Sequence, residues 1–78
     1  MPIKESAAAL LKHLSQLADR SNANGGELHP DLWAAINYAA SIWATAADVE
    51  LNIDDAGMIA AEGCVGYQRF LMKYGMEE

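Results

Sequence analysis

Apolar residues recur every three or four positions along three long stretches of the chain, and this spacing limits the possible folds more than any other feature. It matches the period of an α-helix, about 3.6 residues, and not the strict alternation of a half-buried strand. The first stretch carries a single apolar stripe made of Ile3, Ala7, Leu10, Leu11, Leu14, Leu17 and Ala18. The pattern predicts an all-α fold whose first amphipathic helix covers residues 3–20.

Two further helices are indicated by residues that favour helix ends. Pro30 suits the first helical position, where its missing N–H costs nothing, so we predict a second helix over about residues 30–50. Asn52 followed by Asp55 is similar to a capping box and predicts a third helix over about residues 53–74, which ends before Gly75. We expect helices two and three to form a long αα-hairpin with helix one packed across it, all in a single domain over residues 1–78.

Three glycines lie inside the third predicted helix, at Gly57, Gly63 and Gly66. Each costs roughly 1 kcal/mol relative to alanine in a helix interior. We expect them to let the alanine-rich second helix approach closely. In the alternative interpretation, Gly63 and Gly66 kink the helix instead.

The chain is short for its apolar content, which predicts assembly with a second copy. A core of this size is marginal, and Cys64 is the only cysteine, so no internal disulfide can support it. The second and third helices are apolar on more than one side. We therefore predict a homodimeric helical bundle, because twofold dimers are the commonest assemblies. The expected interface residues are large aromatics and one small residue on these two helices: Trp33, Trp43, Gly63, Tyr67 and Phe70.

The charge distribution bears on the class of partner. The net charge is −6, and the region from Ser21 to Gln68 contains seven acidic residues but no lysine or arginine. Nucleic acids and anionic membranes are bound by basic surfaces, so we predict binding to neither. A basic protein would suit this acidic region. No apolar run reaches the length of about 18–20 residues that spans a bilayer, no secretory signal is recognised at the start, and a lone cysteine fits a reducing cytoplasm. We predict a cytoplasmic protein.

Four carboxylates near the connection between helices two and three are the candidate partner-binding groups. They are Asp48, Glu50, Asp54 and Asp55, and we add Tyr38, on the polar side of helix two, as an expected exposed contact. Acids at the carboxyl end of a helix oppose its dipole, which favours a role in binding over a role in local stability. Helix capping in a solvated turn is the alternative.

Metal binding and catalysis are both disfavoured by the residues present. The acidic stretch is similar to a calcium loop, but Ile53 replaces the required glycine and Ile59 replaces the bidentate glutamate, so we predict no metal site. No Ser-His-Asp set, Cys-His pair or phosphate-binding glycine loop can be built. Glu62 alone, without a second acid or a base, is a poor general acid. We predict no enzymatic activity and no cofactor.

These observations predict a small protein–protein interaction module. Its size and composition are typical of accessory proteins of bacteria and phages, and we expect an inhibitor or antagonist of a host or defence protein. Three alternatives stay open: an acidic mimic of nucleic acid, a secretion or assembly chaperone, and a small-ligand or nucleotide binder at an oligomer interface. The last would use the basic residues Lys4, Lys12, Arg20, Arg69 and Lys73.

Overall fold

The computed structural model describes residues 2–25 and 27–75, and within these ranges it contains helices and no strand. The helices, in chain order, are α1 (Ile3–Ala23), α2 (Pro30–Ala47), α3 (Ile53–Glu62) and α4 (Cys64–Lys73). The all-α prediction is confirmed. The prediction of three helices is wrong, because the third predicted helix is interrupted at Gly63 and continues as a separate element.

The predicted start of α2 is confirmed, and its end lies earlier than expected. The side chain of His29 accepts a hydrogen bond from the Asp31 N–H at 3.1 Å, which caps the first turn next to Pro30. At the other end, Asp48 adopts a left-handed conformation with φ of 56°, so α2 ends at Ala47. A residue with positive φ cannot continue a right-handed helix.

The chain reverses direction at Gly63. This residue has φ of 60° and ψ of −128°, a region that glycine enters far more readily than residues with a Cβ atom. Asp55 in α3 and Lys73 in α4 then form an ion pair of 3.0 Å. A continuous helix would hold these residues about 27 Å apart, at 1.5 Å per residue. Helices α3 and α4 are therefore antiparallel neighbours.

The reversal replaces the predicted long hairpin of helices two and three by two shorter ones. A Cβ atom on Gly66 would lie 2.2 Å from the carbonyl oxygen of Met58, so this glycine permits close contact with α3 and not with the alanines of α2. Helix α1 packs most extensively on α2 and also contacts α3 and α4. Since Ile3 and Ala46 line the same groove, α1 and α2 are antiparallel. The bundle consists of two antiparallel pairs, α1–α2 and α3–α4.

Aromatic side chains from α2 and α4 fill the centre of the bundle. The ring of Trp43 lies edge-on to Phe70 and Tyr74, with centroids 5.3 and 5.9 Å apart. Tyr67 donates a hydrogen bond from its hydroxyl to the Ala8 carbonyl at 3.3 Å, which ties α4 to α1. Aromatic pairs like those of Trp43 add about 0.5–1.5 kcal/mol each beyond the burial of their apolar area.

Among the described residues, none of the helices combines the length and apolar character needed to cross a bilayer.

Candidate protein-binding surface

The acidic connection between α2 and α3 places three of its four carboxylates on the surface. Asp48, Glu50 and Asp54 are exposed. The backbone of Asp48 ends α2, and the N–H of Asp54 donates to the Asn52 side chain at 3.1 Å. These two residues therefore shape the connection through their backbones, and their carboxylates face solvent.

Asp55, the fourth carboxylate, is an internal group. It is only 4% exposed, pairs with Lys73 and accepts a hydrogen bond from the Tyr74 hydroxyl at 2.5 Å. The hydrogen bond from Tyr74 is the main cause that lowers the pKa of Asp55, and Lys73 acts in the same direction against the opposing effect of burial. Tyr74 also accepts the Asn52 N–H at 3.1 Å. Asp55 thus fastens the end of α4 to the start of α3 and is not presented to a partner.

The five residues predicted for a dimer interface lie mostly in the core of the single chain. Trp43, Tyr67 and Phe70 are at most 1% exposed, and Gly63 is buried at the reversal. Trp33 is 40% exposed, and a Cβ atom on Gly57 would lie 3.2 Å from its ring. Four of the five therefore pack inside the chain, and Trp33 alone of the set presents a large apolar surface outward.

A different apolar surface is open to solvent between α1 and α2. A groove of about 380 Å³ lies there, next to a smaller depression of about 190 Å³ that shares Ile3 and Ile42. Four large side chains around them are exposed: Ile3 at 65%, Leu10 at 46%, Tyr38 at 73% and Ile42 at 43%. We call this surface the α1–α2 face and define it by Ile3, Leu10, Tyr38, Ser41, Ile42, Thr45 and Ala46.

The α1–α2 face carries no charge. There is no acidic or basic residue from Leu32 to Ala47, which is most of α2, and the residues lining the groove and the depression are all uncharged. A helix whose outer side meets only water is normally polar or charged on that side. The outer side of α2 instead exposes Tyr38 and Ile42 beside small residues. This composition is typical of a surface that another molecule covers.

Sequence reasoning identified Tyr38 but missed Ile3, Leu10 and Ile42. The apolar periodicity assigned these three to core stripes, because spacing alone does not show which part of a stripe lies under another helix. The uncharged stretch from Leu32 to Ala47 was the available signal, since it includes the outer side of the helix as well as the buried side.

Cys64 is placed where its thiol is held in the neutral form. It is half-buried at the start of α4, its N–H donates to the Asp19 carboxylate at 3.1 Å, and its Sγ lies 3.7 Å from the Ser15 hydroxyl. A side-chain hydrogen bond of the thiol itself with the Asp19 carboxylate is the main cause that raises the pKa of Cys64. Because the thiolate is the reactive form of cysteine, this arrangement suits a structural residue and not a nucleophile.

Another cavity, of about 450 Å³, lies at the same end of the bundle as Ile3 and Ala46 of the groove. It is lined by the start of α1 and the ends of α2 and α4, including Lys4, Glu5, Trp43 and Tyr74. The indole nitrogen of Trp43 is buried and has no hydrogen-bond partner among the described residues. The cavity is therefore walled in part by aromatic rings, while the indole nitrogen itself is sealed from solvent.

Within residues 2–25 and 27–75, no group of three or more histidine, cysteine or acidic side chains is arranged to hold a metal ion. Comparison of the chain with protein-family models, with curated proteins and with solved structures gave no match. The functional assignment therefore rests on the geometry of the chain itself.

Proposed function

We propose that the protein is a small non-catalytic module that binds another polypeptide through the α1–α2 face. The observation that carries the proposal is the presence of four large, exposed apolar side chains around one uncharged groove. Contiguous apolar surface of this kind marks interaction sites on soluble proteins. A groove between two helices accepts the apolar side of another helix, which is a recurrent mode of recognition.

The energy available from these side chains sets a requirement on the partner. Full burial of one such side chain is worth about 1.5–3 kcal/mol, so covering the exposed fractions of all four contributes on the order of 4 kcal/mol. A micromolar complex needs about 8 kcal/mol. The partner must therefore fill the groove as well as cover its rim, which favours a shaped protein surface over a flexible peptide.

The acidic connection extends the proposal to how the partner arrives. The exposed carboxylates of Asp48, Glu50 and Asp54 lie beyond the end of α2, outside the α1–α2 face. Charges outside the buried part of an interface change the rate of encounter more than the affinity: they speed the approach of an oppositely charged partner and slow that of a like-charged one. A role as inhibitor or antagonist, and a cytoplasmic location, stay predictions from the sequence.

The proposal is tested by site-specific photo-crosslinking in the cells that make the protein. A photoreactive amino acid at position 38 lies on the α1–α2 face, and one at position 72 is its matched control, since Met72 is 79% exposed on α4. We expect a protein adduct from position 38 that is absent from position 72 and is lost when Ile42→Asp is added. Equal adducts from the two positions, or none from position 38, would contradict the proposal.

A second candidate function, small-ligand binding, is favoured by the cavity at Trp43. Its volume of about 450 Å³ falls within the usual range of about 300–1,000 Å³ for ligand sites. Its walls combine the rings of Trp43 and Tyr74 with the charged residues Lys4 and Glu5, which suits a compound that carries both an apolar ring and a polar group. In a Trp33→Phe background Trp43 is the sole tryptophan, so its fluorescence reports binding from a metabolite library directly. If no compound changes the fluorescence or the melting temperature, this candidate is discarded.

A further inference from the structure

We infer that a second copy of this chain covers the α1–α2 face, in a twofold dimer whose two α2 helices pack against each other in antiparallel orientation. The inference rests on the proposed function and names the partner that the face fits best. Three properties of the face lead to it: its lack of charge, its relief and its area.

The first property is the lack of charge. Each chain carries a net charge of −6, so two copies repel each other wherever their acidic surfaces meet. The α1–α2 face avoids this cost, because the nearest stretch of α2 from Leu32 to Ala47 is uncharged. A basic partner would find no carboxylate among the residues that line the groove. The face therefore matches another uncharged surface, and the same face on a second copy is one.

The second property is the relief of the outer side of α2. Large and small residues alternate along it, with Tyr38 and Ile42 beside Ser41 and Thr45. An antiparallel crossing centred between Ser41 and Ile42 places Tyr38 of each copy opposite Thr45 of the other copy. The protruding tyrosine ring then enters the groove that the other copy opens between α1 and α2. Large side chains facing small ones interlock without overlap.

The third property is area. A standard interface removes about 800 Å² from each partner, and one long side of this molecule measures 35 by 21 Å. A single partner helix, about 10 Å wide, would cover only part of that side and would leave either α1 or the outer side of α2 exposed. A second copy presents two helices and covers both. In the resulting contact, α1 and α2 of one chain pack face to face on α1 and α2 of the other.

The test is the mass of the purified full-length chain in solution, measured by sedimentation and light scattering over a wide concentration range. We expect a species of twice the 8.4 kDa chain mass. Raising the salt concentration should strengthen the association, because screening weakens the repulsion between like-charged chains. Association with a basic partner would respond to salt in the opposite direction.

Two variants address the position of the interface. Ser41→Glu, at an exposed site that does not affect the core, brings two carboxylates together near the axis and should weaken the dimer roughly tenfold or more. Met72→Glu adds the same charge on α4 and should leave the dimer unchanged. In a Cys64→Ser background, Ser41→Cys should form a disulfide between copies under mild oxidation, since residues near the axis meet the short distance that a disulfide requires, and Met72→Cys should not.

The outcomes separate the inference from the proposed function. A monomer at every concentration, or a dimer that Ser41→Glu leaves intact, overturns the inference. If the monomer result is accompanied by an adduct between position 38 and a different protein, the proposed function stands with another occupant. If position 38 also gives no adduct, both fail.

Discussion

At the scale of single residues, Asp19 and Gly63 together determine where the chain reverses. The Asp19 carboxylate accepts the Cys64 N–H at 3.1 Å and so caps the start of α4, which has no capping side chain of its own. The carboxylate occupies the space next to Gly63, where a Cβ atom would lie 1.8 Å from an Asp19 oxygen. The cap comes from α1, far away in sequence, and it requires a glycine at this position.

Replacing Gly63 by alanine should therefore cost more than replacing Gly25, which shares with it only a positive φ. Gly25 also has positive φ, but no atom lies within 4 Å of the position its Cβ would take. Gly25→Ala should lower the free energy of unfolding by about 1–2 kcal/mol, the strain of a left-handed alanine. Gly63→Ala should lose at least about 1 kcal/mol more, because its ψ of −128° lies outside the left-handed helical region and because the Asp19 cap is displaced. Equal losses in urea unfolding would show that the cap contributes nothing.

Asp55 should make the fold sensitive to acid. Its pKa is lowered in the folded chain, chiefly by Tyr74, so the unfolded chain binds a proton more readily. The stability it contributes is complete above the unfolded pKa, near 3.8, and is lost as the pH falls through the lower folded value. We expect the free energy of unfolding, measured in urea at a series of pH values, to fall along this acid limb.

Two substitutions at neighbouring positions test this prediction. Asp55→Asn should lower the stability at neutral pH by about 1.5–3 kcal/mol, the usual worth of a hydrogen bond to a charged group, and should flatten the acid limb. Asp54→Asn, at the exposed neighbouring position, should leave both the stability and the acid limb nearly unchanged. An acid limb of the same depth in Asp55→Asn would assign it to other carboxylates.

At the scale of helices and loops, the sequence predicts where helices begin more accurately than how the chain runs from one helix to the next. Pro30 and Asn52 act locally, and α2 and α3 begin next to them as expected. The reversal at Gly63 was not predictable from local pattern, because apolar residues continue at helical spacing on both sides of it. Its cause is the contact with Asp19, which belongs to α1 and lies outside the sequence of the third predicted helix.

The candidate site was predictable only in part, for a related reason. The exposure of Asp48 and Tyr38 follows from their places at a helix end and on a polar side. The internal role of Asp55 depends on Lys73 and Tyr74, which reach it only because the chain reverses. The same reversal covers the aromatic residues of α4 and so moves the exposed apolar surface to α1 and α2.

Because α3 and α4 are in close contact, we expect Gly66→Ala to destabilise the protein although alanine has the higher helix propensity. In an isolated helix Gly66→Ala would be favourable by about 1 kcal/mol. Here the new methyl group would lie 2.2 Å from the Met58 carbonyl oxygen and would force the two helices apart. We expect a net loss of about 1–3 kcal/mol in urea unfolding, the usual cost of overpacking.

Gly57→Ala is the matched control within the same helix pair. Its methyl group would meet the ring of Trp33 at 3.2 Å, and this ring is partly exposed and can shift. The gain in helix propensity then offsets most of the contact, so we expect a change within about 1 kcal/mol. If Gly66→Ala stabilised the protein as much as Gly57→Ala, α3 and α4 would not be in backbone contact.

At the scale of the whole molecule, the single chain encloses its three central aromatic residues and leaves a different surface open. Trp43, Tyr67 and Phe70 are sealed within the four helices, so the proposal of a partner does not rest on the core. It rests on the outer side of α2 and the adjoining stripe of α1. A domain of this size has a small margin of stability, so the dimer that we propose would couple folding to association.

That coupling predicts a melting temperature that depends on protein concentration. Binding that favours the folded chain adds about 2.7 kcal/mol when the concentration is a hundred times the dissociation constant, which raises Tm by on the order of 10 °C for a domain of this size. Ser41→Glu should melt at a lower temperature than the unmodified chain at the same concentration, and the two should coincide only at high dilution, because Ser41 is exposed in the single chain. If both proteins melt at the same temperature at every concentration, the single-chain core supplies all of the stability and the α1–α2 face is not paired with itself.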